Sequence, residues 1–434
     1  MEKFVIQGGV PLCGEITAAG NKNAALPILA ACLLTEEDVT LHNVPRIRDT
    51  EAQIGLLEGL GVAVERLGEN SLRLCAAAVA TSSPDEALAA RIRASFLLAG
   101  PLLARFGQVT MPPPGGDTIG RRRLDPHLDA FRDLGAEVRA GRTIELSAPN
   151  GLEACEIFMD EPSVMGTENA LLAAALVPGE TVIGNAACEP HVQDLARLLC
   201  KMGATIEGIG SNVMRIEGRD RLGGAEHEIG PDHIEIGSFM ALAAATGGEL
   251  RIRDTEPADL VMIRRQFGRL GLHSATEGRD LIIAPSQQLA IRDDVGDAIA
   301  KIDDGPWPAF PADLTSIALA LATQAEGTIL IFEKMFENRL FFTDKLVAMG
   351  ARITLCDPHR AIVSGPSLLH GERLESPDIR AGMAMLIAAL AARGTSEIGN
   401  IAQIDRGYER IDERLRELGA RIERVAVEPA PAVA

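Results

Sequence analysis

The stretch LEGLGVAVERL, residues 57–67, joins two patterns across one glycine. Before Gly61 the apolar residues keep a helical period, and after it they alternate as in a short strand. A glycine at that joint suits the left-handed residue that ends a helix. The same arrangement returns as FRDLGAEVRA around Gly135, LLCKMGATIEG around Gly203 and FGRLGLHSATEG around Gly271. It appears twice more, as LVAMGARITLC around Gly350 and LRELGARIERV around Gly419. Successive glycines stand 68 to 79 residues apart. A second signal precedes each of these helices, a glycine and Glu, Gln or Thr followed by alternating apolar residues, as in GQVTM (107–111), GETVIGNA (179–186), GGELRIRD (247–254) and EGTILIFE (326–333).

Units of about 70 residues that carry both strands and helices are larger than common solenoid repeats of about 20–50. Three plus three such units give two closed domains, which is also what a chain of 434 residues needs to bury its apolar surface. The expected fold is therefore α/β, with six repeats in two domains. The polar, turn-rich stretch GAEHEIGPDHIEIG (224–237) is the expected boundary. Residues 21–230 form the first three-repeat domain, which carries the loop around Asp117; residues 1–20 plus 231–425 form the second, and 426–434 a flexible tail.

Composition limits the function. A formal net charge of −19 argues against nucleic-acid or membrane-surface partners, which need a basic footprint. With 3% aromatic residues there is little to stack bases on. No apolar run is long enough for a membrane span or a signal peptide, so a cytoplasmic protein is expected. Seven scattered cysteines without a CxxC pair suggest reduced thiols, and eight histidines form no ligand-like pair. Neither a metal nor a cofactor is expected.

Against that acidic background the segment MPPPGGDTIGRRRLDPH (111–127) stands out. Gly115 and Gly116 allow unusual backbone conformations beside Asp117, and Arg121, Arg122 and Arg123 follow at once. One acid beside guanidinium groups in a loop suits an enzyme that clamps phosphate and moves a proton. In GNKNAALPILAACLL (20–34), Lys22 and Asn23 precede an apolar helix whose N-terminal N–H groups attract anions; an ordinary solvated lysine is the alternative. Asp313 closes the Pro-rich run DGPWPAFPADL (304–314), where it suits both a fixed general base and an N-cap for the following helix. Glu337 and Arg339 in MFENR, Arg380, and Asp405, Arg406 and Tyr408 in IDRGYER come from different repeats, as residues converging on an interdomain cleft would. Taken singly, each is more commonly a surface ion pair.

In their order along the chain, GNKNAALPILAA, RASFLLAGPLLARFG, GGDTIGRRRLDPH, FPADL, FENR and IDRGYERI resemble the UDP-N-acetylglucosamine enolpyruvyl transferases (1-carboxyvinyltransferases). That family shares its architecture with the shikimate-pathway enolpyruvyl transferase. The resemblance implies two inverse α/β domains of three repeats each. It implies transfer of the enolpyruvyl group of phosphoenolpyruvate to the 3-hydroxyl of the sugar, with release of phosphate, in peptidoglycan precursor synthesis.

By the same resemblance, Lys22, Asn23, Arg122, Arg380 and Arg406 bind phosphoenolpyruvate. Asn23, Arg93, Arg122, Arg123, Leu124, Asp125, Pro126, Ser163, Val164, Asp313 and Met335 contact the nucleotide sugar, with Glu337 and Arg339 in support. Asp117, Asp313 and Lys22 form the catalytic set, with Asp117 as proton donor and Asp313 as proton acceptor. The implied partners are phosphoenolpyruvate and a nucleotide-sugar acceptor; oligomeric state stays open.

Most family members have cysteine where this chain has Asp117, and that thiol is what the epoxide antibiotic fosfomycin alkylates. Aspartate implies resistance. Arg123, Met165, Thr315 and Gln403 also depart from the family pattern of proline, glycine, glutamine and histidine. These departures bear on the acceptor, so a paralogue acting on another nucleotide is an alternative. A catalytically inactive ligand-binding protein is another.

Overall fold

A computed structural model describes residues 2–427. All six joint glycines (61, 135, 203, 271, 350 and 419) have positive φ, between 84° and 117°. Each ends a helix and leads into a strand, as in Arg48–Leu60 followed by Ala63–Arg66. The backbone sign is what an L side chain resists, so glycine is the residue that permits the turn there.

The repeat has a fixed order: a buried inner helix, a strand, an amphipathic outer helix, the glycine, and a hairpin that returns to the first strand. The inner helices are Lys22–Ala31, Ala99–Phe106, Val164–Ala174, His233–Thr246, Thr315–Ala322 and Ile379–Ala391. Nearly every residue of Ile379–Ala391 is buried, since the helix is apolar all round. Each large aliphatic side chain so buried contributes about 1.5–3 kcal/mol. Outer helices such as Pro190–Met202 alternate buried and exposed faces instead.

Six sheets result, five of four strands and one of three. In five of them an antiparallel hairpin pairs with the strand that follows the inner helix, as Leu72–Cys75 does with Val39–His42. In five sheets a parallel strand completes the other edge, as Ala300–Asp303 does beside Gly327–Phe332. The sixth repeat closes with the chain's first strand. Glu2–Gln7 lies antiparallel between Thr395–Gly399 and Arg421–Ala426.

The chain divides into two compact units. The inserted unit comprises Ala19–Asp117 and Arg122–Gly230, with three of the sheets and one apolar core. The terminal unit comprises residues up to Ala18, Thr118–Arg121 and the chain from Pro231 onward, with the other three sheets and its own core. The polar stretch 224–237 is not a loose linker. It holds the strand Ala225–Glu228, the break at 230/231 and the start of the helix His233–Thr246.

Two details differ from the sequence reading. Residues 118–121 group with the terminal unit, whereas the whole Asp117 loop was expected in the other. The reason is local: the Asn338 N–H donates to the Ile119 carbonyl and the Arg121 N–H to Glu337 Oε2, both at 3.0 Å. The expected tail begins inside a strand, since Arg421–Ala426 pairs along its length, and residues 428–434 lie outside the described residues. No helix among the described residues is long and apolar enough to cross a membrane.

Candidate functional site

Polar or charged residues stand at or ahead of the starts of the six inner helices, although their bodies are apolar. Lys22, Ser163, Asp232, Asp313 and Arg380 lie within two residues of those N-terminal ends, and Arg93 opens the short helix that leads into Ala99–Phe106. Backbone N–H groups there are unpaired within the helix and carry partial positive charge, so anionic groups are favoured.

In the inserted unit, Asn21 caps the helix Lys22–Ala31, its Oδ1 accepting the Asn23 and Ala24 N–H groups at 2.9 and 3.2 Å. That cap fixes the first turn, and Lys22 is buried in it. Its Nζ lies 3.0 Å from Asp49 Oδ2, on the first turn of Arg48–Leu60. The solvated-lysine alternative is thereby replaced by a buried ion pair. Asp49 was not singled out in the sequence; its signal was an acid in the first turn of a predicted helix.

Arg93 opens the short helix Arg93–Leu98 that leads into Ala99–Phe106. Its Nη2 donates to the carbonyls of Arg122 and Arg123 at 2.6 and 3.1 Å. Burial, and then repulsion from Arg122, lowers its pKa to about 10. The loop ahead of Asp117 is folded tightly onto the same elements. A Cβ at Gly115 would stand 1.8 Å from the Ala90 carbonyl oxygen, and one at Gly116 would stand 2.9 Å from Arg93 Cβ. Gly116 also has φ +106°, so both glycines are required there, for different reasons. Arg93, Arg122 and the approach to Asp117 are thus brought together.

Arg123 points elsewhere. It pairs with Asp160 at 2.7 Å, Asp125 at 3.3 Å and Glu161 at 3.7 Å. Leu124 is the N-cap residue of Asp125–Asp133, in which Pro126 occupies the first turn. Ser163 caps Val164–Ala174, its Oγ accepting the Gly166 N–H at 3.2 Å. The same helix hides Glu168, whose carboxyl is pushed well up by burial and then by Glu189.

In the terminal unit Asp313 is the centre of the arrangement. Arg339 Nη2 donates to its Oδ1 at 2.9 Å, while Arg380 Nε and Nη2 reach its Oδ2 at 3.0 and 2.8 Å. The side chains of Arg339 and Arg380 are 3% and 4% exposed, and that of Asp313 is 27% exposed. Two buried guanidinium groups therefore hold one carboxylate at the solvent boundary. Asp313 is not an N-cap, contrary to one sequence expectation: Leu314 holds that position for Thr315–Ala322, with no side-chain cap. The arginines bind the carboxylate more strongly than a helix end would.

Arg380 is itself fixed from below. Asp378 Oδ1 accepts its N–H at 2.8 Å, and its guanidinium lies 5.5 Å from the centroid of the Tyr408 ring. Tyr408 in turn meets Ser238 Oγ at 3.0 Å. Burial opposes the charge on Arg380, but Asp313, Tyr408 and Asp232 together outweigh it, so the pKa is raised. His233 nearby is pulled down to about 4 by burial, with Asp313 raising it and Arg380 lowering it. It is a neutral imidazole at ordinary pH.

Arg406 ends the short helix Ile404–Arg406, its Nη1 donating to Gln403 at 2.9 Å. The neighbouring Asp405 accepts both Nη groups of Arg424 at 2.9 and 2.8 Å, a structural clamp. Glu337 holds the Arg121 backbone, and its pKa is lowered by its own N–H and then by that of Arg121. Gly120 is required beneath it, with φ +140° and the Glu337 N 2.9 Å from where a Cβ would stand. Met335 is exposed on the same loop.

The family model for EPSP synthase (3-phosphoshikimate 1-carboxyvinyltransferase) matches residues 6–415. A UDP-N-acetylglucosamine 1-carboxyvinyltransferase from Bradyrhizobium diazoefficiens is 57% identical over 423 residues, covering 98% of each chain. One from Treponema denticola is 55% identical over 423 residues, covering 98% of this chain and 99% of its own. Among solved structures, the enolpyruvyl transferase NikO from Streptomyces tendae superposes with a TM-score of 0.87 at 24% identity, over 98% of this chain and 99% of that one. An EPSP synthase from Acinetobacter baumannii gives 0.75 at 18% identity, over 98% and 100%. At those identities the structural likeness is one of fold.

Proposed function

Because the chain belongs to the EPSP synthase family and, within it, to the UDP-N-acetylglucosamine 1-carboxyvinyltransferases, we propose that it transfers the enolpyruvyl group of phosphoenolpyruvate to the 3-hydroxyl of UDP-N-acetylglucosamine and releases phosphate. The observation that carries this reading is Asp313, a partly exposed carboxylate fixed by two buried arginines. A general base needs that combination of access and fixed orientation.

The reaction is an addition followed by an elimination. Asp313 takes the hydroxyl proton as the sugar oxygen attacks C2 of phosphoenolpyruvate, while Asp117 delivers a proton to the C3 methylene. The resulting ketal then loses a C3 proton and its phosphate, which restores the double bond. Lys22, Arg122, Arg380 and Arg406 hold the phosphate and carboxylate, and fixed cations stabilise the developing charge without reorganising. Asn23, Arg93, Ser163, Val164, Met335 and the 122–126 segment serve the nucleotide sugar. Within that segment Arg123 contributes through its acid partners, which orient the turn before Asp125–Asp133.

The names of relatives at 55–57% identity favour UDP-N-acetylglucosamine over another nucleotide as acceptor. Seven free thiols fit a reducing cytoplasm, where peptidoglycan precursors are made. Phosphate release from phosphoenolpyruvate, measured with UDP-N-acetylglucosamine and a panel of other nucleotides, tests the reading. Turnover with UDP-N-acetylglucosamine supports it; turnover confined to another acceptor, or none, overturns it.

A further inference from the structure

Two acids stand one layer behind Asp313. The parallel strands Ala300–Asp303 and Gly327–Phe332 pair Asp303 with Phe332, so the next residues, Asp304 and Glu333, leave the sheet side by side. Both are fully buried. One oxygen of each is engaged by the following loop: Asp304 Oδ1 accepts the Lys334 N–H, and Glu333 Oε1 accepts the Phe336 N–H at 3.1 Å. The other oxygens, Asp304 Oδ2 and Glu333 Oε2, have no donor. Two carboxylates only accept, and one proton between them turns two unsatisfied oxygens into a hydrogen bond.

Arg339 links this pair to the base. Its Nη2 bonds to Asp313, while its Nε lies 3.7 Å from Glu333 Oε2 and makes no hydrogen bond. We propose that Asp304 and Glu333 share one proton and serve as a positioning pair, which leaves the Arg339 guanidinium to Asp313 while the proton is held. When the proton is lost to solvent, the Glu333 carboxylate draws Nε–H toward itself and turns the guanidinium away from Asp313. This rests on the reading of Asp313 as the base.

The other groups that face the pair do not supply the missing donor. His359 engages the Glu333 backbone, with Nδ1 2.7 Å from its carbonyl oxygen, and Lys334 turns its Nζ to Asp303 at 2.8 Å. The Thr315 hydroxyl lies against the Glu333 carboxyl and opposes its rise but makes no hydrogen bond, and Arg380 and Asp313 lie beyond Arg339. Burial pushes Glu333 up to about 8, with Arg339 opposing and Asp304 adding to the rise.

The test is the pH profile of kcat, with phosphoenolpyruvate and UDP-N-acetylglucosamine saturating, for the native chain, Glu333→Gln and Asp304→Asn. The native kcat is expected to fall about tenfold per pH unit above about pH 8, with KM for phosphoenolpyruvate unmoved. Glu333→Gln removes that limb, and Asp304→Asn shifts it to lower pH. Profiles that superimpose, or that drop equally at every pH, overturn the proposal. Carbon-13 NMR of glutamate-carboxyl-labelled protein gives a readout independent of turnover. A glutamate resonance that titrates near pH 8 and moves in Asp304→Asn supports the pair even where catalysis fails, a failure that would then count against the functional reading alone. Absence of any such resonance in the native chain overturns the pair.

Discussion

Lys22 Nζ lies 3.0 Å from Asp49 Oδ2, with side-chain exposures of 11% and 5%. A charge so placed is held in position by its partner, and the helix end beside it adds positive potential. Asp49→Ala leaves the ammonium without that partner. We expect a loss of about 3 kcal/mol in unfolding free energy, read by urea denaturation, together with a raised KM for phosphoenolpyruvate. A variant with native stability would show that the pair has little structural weight.

Asp117→Asn keeps the shape of the loop but removes the acid. We expect kcat to fall about 10²- to 10⁴-fold while circular dichroism and melting temperature stay native. Near-native turnover would remove Asp117 from the donor role.

The same position is expected to decide covalent drug chemistry, because a carboxylate is a poor nucleophile toward an epoxide compared with a thiolate. Incubation with fosfomycin is expected to leave the native chain unmodified by mass spectrometry. Asp117→Cys is expected to gain one adduct at that residue. Labelling of the native Asp117 would contradict this.

Arg339→Lys retains a cation but loses the planar fork that meets Asp313 while leaving Nε toward Glu333. The expected result is a drop in kcat of at least about tenfold, with smaller effects on KM for either substrate. Asp313→Asn should cost more and leave the fold intact. Equal effects on kcat and on both KM values would mean that Arg339 acts in binding rather than in orienting the base.

Two buried groups give stability opposite dependences on pH. His127 is held down to about 3 by burial and then by Arg93, from an ordinary value of 6.5. The unfolded chain binds the extra proton, so its contribution is complete above about pH 6.5 and is lost as pH falls toward about 3. Glu333 is raised from 4.5 to about 8, so its contribution is complete below about pH 4.5 and is lost as pH rises through about 8. Urea midpoints measured across pH should show a flattened acid limb in His127→Gln and a flattened alkaline limb in Glu333→Gln. Unchanged limbs would mean that other groups dominate.

Local chemistry made the repeat legible in the sequence. A helix period, a glycine and an alternating strand are contiguous, and all six glycines take the left-handed turn that the pattern requires. The polar starts of the inner helices were visible for the same reason, in Lys22, Asp313 and Arg380. Partners distant along the chain were not. Asp49 lies 27 residues from Lys22, and Arg339 and Arg380 lie 26 and 67 from Asp313, so no periodicity links them. Asp304 and Glu333 become neighbours only through strand register, which needs the sheet. Asp313 read as an N-cap because sequence shows the helix that follows it and not the arginines that claim its oxygens.

The strand Glu2–Gln7, laid between Thr395–Gly399 and Arg421–Ala426, imposes an order on synthesis. It is made before residues 19–230, and both of its neighbours are made after them. Residues 19–230 are complete long before, so the inserted unit has all its strands while Phe4 and Ile6 still lack the surface that buries them. The nascent chain therefore carries an unpaired apolar strand until residues 395–399 and 421–426 are made, exposing the kind of surface that favours aggregation. A ribosome that stops before residue 421 releases a chain with a finished inserted unit and an open sheet edge, fit for aggregation or proteolysis.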